Sequence, residues 1–82
     1  MLNKKEKNYF INNIIDNHKK YKHNPKLQYI CNDDIVKMFK ELEYITENTY
    51  NHLIALIYEG AYEKEYHPIL KATDILKKQL GA

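Results

Sequence analysis

The sequence predicts an all-α fold: a compact bundle of four helices with a fifth, short helical segment. Apolar residues recur at spacings of three and four along most of the chain, which places them on one face of a helix. No stretch alternates apolar and polar residues as a strand would. The 82 residues give room for one domain, 1–82. Helix start signals divide the chain at Asn24-Pro25, Asn32-Asp33 and His67-Pro68.

The first half of the chain contains three predicted helices. Residues 4–22 carry one apolar face, made of Phe10, Ile11, Ile14, Ile15 and His18. Pro25 disfavours helix at the residue before it, so we expect Asn24 to cap a short helix over 25–31. Acidic residues after Asn32 complement the positive end of a helix dipole, and they predict the next helix over 33–45.

Two more helices are expected over 47–66 and 68–80. The apolar pattern breaks just before Thr46, which would cap a new helix, although one helix through 33–66 is the alternative. Gly60 lies inside the apolar face of the 47–66 helix, where it either costs about 1 kcal/mol relative to alanine or lets another helix approach closely. Gly81 is a candidate terminator of the last helix.

The net charge is only +2, but its distribution along the chain is uneven. Residues 1–26 hold seven lysines against two carboxylates, a net of +5, whereas residues 33–65 hold three lysines against eight carboxylates, a net of −5. Such a dipolar chain can orient on a charged partner, or its two halves can attract each other.

Catalysis and metal binding find little support in the sequence. The chain has no serine, and two glycines cannot form a nucleophile elbow or a phosphate-binding loop, so we expect neither enzyme activity nor a cofactor. Glu59, Glu63 and His67 follow each other at four-residue steps, but three such ligands on one helix face do not complete a zinc or di-iron pattern. No metal site is therefore predicted.

The cysteine content and the amino-acid composition indicate the cellular compartment and the origin of the protein. Cys31 is the only cysteine, which favours a reducing compartment, and no apolar run reaches the roughly 18–20 residues that span a bilayer. We therefore expect a cytoplasmic protein without membrane contact. The chain has no arginine and is rich in residues with A/T-rich codons, which suggests a low-G+C bacterium or its phages and plasmids.

Nucleic-acid binding is the alternative function. Residues 34–53 resemble a degenerate helix-turn-helix, in which the groove would be read by Thr49, Asn51 and His52. Alternatively, the lysine-rich first helix would bind nucleic acid by itself, through nonspecific phosphate contacts of Lys19, Lys20 and Lys22. However, the gap between the two helices is long for that motif, and there is no arginine for the commonest guanine contact.

Protein binding is the leading expectation, because tyrosines are enriched at interfaces. Tyr58, Tyr62 and Tyr66 repeat at four-residue spacing, and Glu59 and Glu63 lie beside them. The alternative is that these tyrosines close the edge of the core. We expect a small accessory or regulatory protein, an inhibitor or adaptor of a partner protein, with a homodimer also considered. Small helical host inhibitors and antitoxins of mobile elements share this general build.

Overall fold

The computed structural model describes residues 1–82 and contains four helices joined by short turns. The helices are α1 (Lys4–Lys20), α2 (Pro25–Glu41), α3 (Glu47–Tyr62) and α4 (Tyr66–Leu80). There is no strand, so the predicted all-α class and the bundle of four main helices are confirmed.

Each helix packs against the next one along the chain, and α4 returns to pack against α1. The helices thus form a ring in which α1 and α3 occupy opposite corners. Their inward faces share one core, whose largest fully buried apolar side chains are Phe39, Ile11, Ile14, Leu53, Ile57, Ile69, Leu76 and Val36. At one end of the bundle, the Leu2 N–H donates to the Tyr44 hydroxyl and Lys7 donates to the Leu80 carbonyl.

The prediction of separate helices over 25–31 and 33–45 is wrong, because α2 runs unbroken from Pro25 to Glu41. Asn32 does not cap a helix; it is fully buried, accepts from the Asn17 side chain and donates to the Ile14 carbonyl. These bonds satisfy a buried amide that would otherwise be costly to bury. The buried face of α2 is consequently Gln28, Asn32, Val36 and Phe39, while Leu27 and Ile30 are partly exposed.

The boundaries around the last turn also differ from the prediction. α3 ends at Tyr62 instead of residue 66, and α4 begins at Tyr66 instead of residue 68. The chain reverses at Lys64, which adopts the left-handed conformation with φ 56°. The Glu65 N–H then donates to the Gly60 carbonyl, as in a Schellman motif. Pro68 fits inside the first turn of α4, where backbone N–H groups have no helical partner.

Several helix start and end signals were predicted correctly. Asn24 caps α2 ahead of Pro25, and Thr46 caps α3 through the Thr49 N–H, so residues 33–66 are not one helix. Gly81 ends α4 with φ 67°. Side-chain oxygens at these N-caps and a left-handed glycine at the C-terminus satisfy backbone groups that the helices leave unpaired.

Gly60 allows α3 and α4 to approach each other closely. A β-carbon at this position would lie 2.5 Å from two side-chain atoms of Ile69 and 3.1 Å from the Glu65 carbonyl oxygen. Of the two alternatives for this glycine, close helix approach is therefore the one that the structure supports.

None of the four helices combines the length and the apolar character that crossing a bilayer requires. The uneven charge becomes a property of the bundle, because α1 holds five lysines against Glu6 and Asp16 whereas α3 holds Glu47 and Glu59 and no lysine. Since α1 and α3 occupy opposite corners, the basic and the acidic helix face away from each other.

Candidate functional site

Three tyrosines form a cluster on the surface between α2 and α3. The rings of Tyr58 and Tyr62, one turn apart on α3, stack with centroids 4.5 Å apart. Tyr29 of α2 meets the Tyr58 ring edge-on at 5.7 Å and the Tyr62 ring at 6.4 Å. Tyr58 remains 54% exposed and Tyr62 42% exposed, so about half of each residue faces solvent. We call Tyr29, Tyr58 and Tyr62 the tyrosine surface.

Tyr29 orders this surface from the α2 side. It is half-buried, and burial together with the nearby charge of Asp33 raises the pKa of its phenol. The hydroxyl is therefore a neutral hydrogen-bond donor at physiological pH. Sequence reasoning missed Tyr29 because it treated residues 25–31 as a separate short helix. In one continuous α2, Tyr29 and Asp33 are four residues apart and lie on the side that packs against α3.

Tyr66 does not belong to the tyrosine surface, which corrects the predicted row of Tyr58, Tyr62 and Tyr66. The four-residue spacing would align the three rings only if α3 continued through residue 66. Instead α3 ends at Tyr62, and Tyr66 opens α4 after the reversal at Lys64. The Tyr66 ring stacks on the His18 ring of α1, with centroids 5.5 Å apart.

The predicted acidic neighbours of the tyrosines are available to a partner. Glu59 lies in the last turn of α3 and Glu63 directly after it, and both are exposed. Neither takes part in an ion pair, because the two ion pairs of the molecule are Asp33–Lys37 and Asp74–Lys78. Exposed carboxylates that form no ion pair remain available to a charged group on an approaching surface.

Polar contacts of Tyr50 connect α2 to α3 two turns away from the tyrosine pair. The Tyr50 hydroxyl donates to the Asp33 carboxylate, which also pairs with Lys37 at 3.6 Å. Lys40 places its ammonium 4.3 Å from the centroid of the Tyr50 ring. Burial, and then the hydrogen bond to Asp33, raise the pKa of the Tyr50 phenol well above its usual value. These contacts hold α2 and α3, the two helices that present the tyrosine surface, against each other.

The nucleic-acid candidates lie at opposite ends of the bundle. Lys19, Lys20 and Lys22 are at the end of α1, close to the turn between α3 and α4. Thr49, Asn51 and His52 are in the first turns of α3, at the other end. Thr49 is also engaged in the cap, since its hydroxyl accepts from Thr46. Lys20 lies over the neighbouring Tyr21 ring at 5.3 Å. The six residues therefore do not form one surface.

The helix-turn-helix interpretation of residues 34–53 does not fit the packing of α2 against α3. Tyr50, near the start of α3, contacts Asp33 and Lys40 in the second half of α2. Tyr58 and Tyr62, at the end of α3, contact Tyr29 near the start of α2. The two helices are thus antiparallel neighbours along their length, whereas a helix-turn-helix crosses its helices at about 90–120°.

Metal-ligating side chains do not converge anywhere in the bundle. Glu59 and Glu63 stay with α3 and its end, while His67 belongs to α4, so the spacing noted in the sequence does not give one helix face. No group of three histidine, cysteine or acidic side chains comes close enough to hold an ion.

No protein-family model, curated protein or solved structure shows a significant match to this chain. The function proposed for this chain therefore depends on the geometry of the chain's own residues.

Proposed function

We propose that this protein acts by stoichiometric, non-catalytic binding of a partner protein, as an inhibitor or adaptor. The binding face consists of the tyrosine surface together with Glu59 and Glu63. The role of an accessory protein of a phage or other mobile element of a low-G+C bacterium is part of the same proposal, and it depends on amino-acid composition alone.

The observation that carries the proposal is the stacked pair of Tyr58 and Tyr62, about half exposed and backed by Tyr29. Stacking and the edge-on contact hold the rings in place before a partner arrives. A pre-ordered aromatic side chain loses little conformational entropy on binding, which is why tyrosines serve as interface anchors.

The unpaired carboxylates indicate a basic surface on the partner. Glu59 and Glu63 extend from the same helix end as the tyrosine pair, and α3 itself contains no lysine. Glu59 and Glu63 form no ion pair with the lysines of α1, the basic helix at the opposite corner of the ring. Charge complementarity of this kind increases association rates and selects the partner.

Two competing proposals are less well supported. A nucleic-acid interface through Lys19, Lys20 and Lys22 alone would have no base-reading residues beside it, because Thr49, Asn51 and His52 lie at the other end of the bundle. A homodimer through the tyrosine surface would bring Glu59 and Glu63 of two copies together, and like charges facing each other oppose association.

Affinity capture from the native host with matched variants tests the proposal. Tyr58→Ala/Tyr62→Ala and Glu59→Lys/Glu63→Lys should each lose a partner that the wild-type protein retains. The control is Lys4→Glu/Lys5→Glu, which reverses two exposed charges at the far end of α1 and should retain the partner. Retention of the same partner by all variants would refute the assigned surface.

A further inference from the structure

We propose a second site, independent of the tyrosine surface: a basic cleft that binds the linked phosphates of a small anionic ligand. The cleft lies where the loop between α1 and α2 faces the turn between α3 and α4. Its volume is about 440 Å³, and its lining residues are His18, Lys19, Lys22, His23, Gln28, Lys64 and Tyr66.

The floor of the cleft is built around Gln28, which is only 1% exposed. Its side-chain Nε2 donates to the carbonyl oxygens of His18 and Tyr21, at 3.5 and 3.4 Å. These carbonyls belong to the negative C-terminal end of α1, which would otherwise repel an anion. Because Gln28 occupies them, the end of α1 is tied to the start of α2.

The same glutamine sets the hydrogen position on His18. Gln28 Oε1 lies 2.7 Å from His18 Nδ1, and since Oε1 is an acceptor, Nδ1 carries the hydrogen. Nε2 is therefore the other ring nitrogen, which accepts a hydrogen bond in the neutral ring and donates to a phosphate oxygen only in the imidazolium. Stacking of the His18 ring against Tyr66, with 27° between the ring planes, fixes its orientation. A buried amide and an aromatic contact thus pre-order one wall of the cleft.

Cationic side chains surround this floor. Lys19 and Lys22 come from the end of α1 and the loop after it, Lys64 comes from the opposite turn, and none of the three is in an ion pair. No carboxylate is among the lining residues. The Lys64 backbone adopts the left-handed conformation of the Schellman turn, with φ 56°. Three unpaired ammonium groups facing one space favour an anion there.

The charge and the size of the cleft indicate the class of ligand. One phosphate group carries about −1.5 to −2 charges, so the three lysines match two linked phosphates better than one. The volume is in the range of small-molecule sites, about 300–1,000 Å³. The first turn of α4, which begins at Tyr66, has no side-chain cap, and helix N-termini favour phosphate oxygens.

Titrations with pyrophosphate and with ATP, followed by amide chemical shifts in NMR spectra, test the cleft. Both should shift amides of residues 18–23 and 64–66, and raising the salt from about 20 to about 200 mM should weaken both. Lys22→Glu/Lys64→Glu should weaken binding about tenfold or more, because two charge-assisted contacts become repulsive. Lys4→Glu/Lys5→Glu has the same net charge and should bind as the wild type does.

Three outcomes would overturn the proposal: no shift with either ligand, equal weakening by the two charge-reversal pairs, or binding of ATP without pyrophosphate, because recognition would then lie in the base. Tighter binding of a single-stranded oligonucleotide, with shifts spread along α1, would assign these lysines to a nucleic-acid surface instead. Melting curves of each variant separate loss of binding from loss of fold. Capture of the protein partner through the tyrosine surface is a separate readout, so the two proposals can fail independently.

Discussion

Gly60 is the residue on which the contact between α3 and α4 depends most directly. Gly60→Ala would place a β-carbon 2.5 Å from Cδ1 and Cγ1 of Ile69, which forces the buried Ile69 side chain or one of the helices to shift. We expect a loss of about 1–3 kcal/mol in the free energy of unfolding, as for other overpacked cores. Urea denaturation measures this loss directly.

A double-mutant cycle with Ile69→Ala supplies the control. Ile69→Ala is destabilising by itself, but it removes the atoms that the new β-carbon would meet. In the Ile69→Ala background, Gly60→Ala should therefore cost little or nothing further. Simple additivity of the two losses would show that the close approach at Gly60 is not what makes glycine necessary there.

Tyr50 links the stability of the α2–α3 pair to pH. Burial and the Asp33 carboxylate raise the pKa of its phenol in the folded protein above the unfolded value of about 10. A raised folded pKa stabilises the fold below the unfolded pKa, and this contribution is lost as the pH rises above about 10, where the unfolded chain ionises first. Wild-type protein should therefore lose stability more steeply than Tyr50→Phe in that range.

Denaturant unfolding of the two proteins at pH values from neutral to about 11 makes the comparison. Lysine side chains also titrate in this range, but they are the same in both proteins and do not affect the difference. Parallel pH dependence in the wild type and Tyr50→Phe would mean that the bond from Tyr50 to Asp33 does not form in solution. Tyr9→Phe is a suitable control, because Tyr9 is 63% exposed.

The continuity of α2 is the main feature of the helices that the sequence did not predict. Asparagine followed by two aspartates is a common N-terminal signal, and it suggested a helix start at residues 32–34. The signal was overridden by tertiary contacts, because the Asn32 amide bonds to Asn17 and Ile14 of α1. Asn32 and Gln28 lie one and two helical turns before Val36, on the same face of α2. They were not predicted to be buried, because core positions are usually apolar.

The end of α3 was missed for a different reason. Left-handed helix terminators are recognised by glycine, yet Glu43 and Lys64 serve here with φ values of 65° and 56°. Lysine carries no such signature, so the tyrosine spacing seemed to continue to residue 66. The candidate site was therefore only partly predictable: Tyr58 and Tyr62 were identified, Tyr66 was assigned to the wrong surface, and Tyr29 was overlooked.

A substitution at Asp34 tests whether α2 is one helix in solution. Asp34 is exposed near the middle of α2, so Asp34→Gly should be less stable than Asp34→Ala by about 1 kcal/mol, the difference in helix propensity. If a helix began at residues 32–34 instead, glycine would be tolerated near the cap at a cost of a few tenths of a kcal/mol. Thermal unfolding of the two variants separates these cases, and equal stability would contradict the continuous helix.

For the bundle as a whole, the ring order of the helices determines how charge and aromatic side chains are presented. The sequence shows that residues 1–26 are basic and residues 33–65 acidic, but it does not show whether these segments meet. In the structure α1 and α3 occupy opposite corners, and Glu59 and Glu63 remain unpaired. The tyrosine surface and the basic cleft are thereby separate faces with charges of opposite sign.

We propose that Tyr58 and Tyr62 contribute more to the binding of a partner than to the stability of the core. The most direct test titrates the captured partner, once purified, against wild-type protein and Tyr58→Ala/Tyr62→Ala, and records thermal unfolding of both. The double variant should bind the partner at least about tenfold more weakly, as for interface hot spots. Its melting temperature should fall by less than about 4 °C. Unchanged affinity together with a large fall in melting temperature would contradict the proposal and assign both tyrosines to the edge of the core.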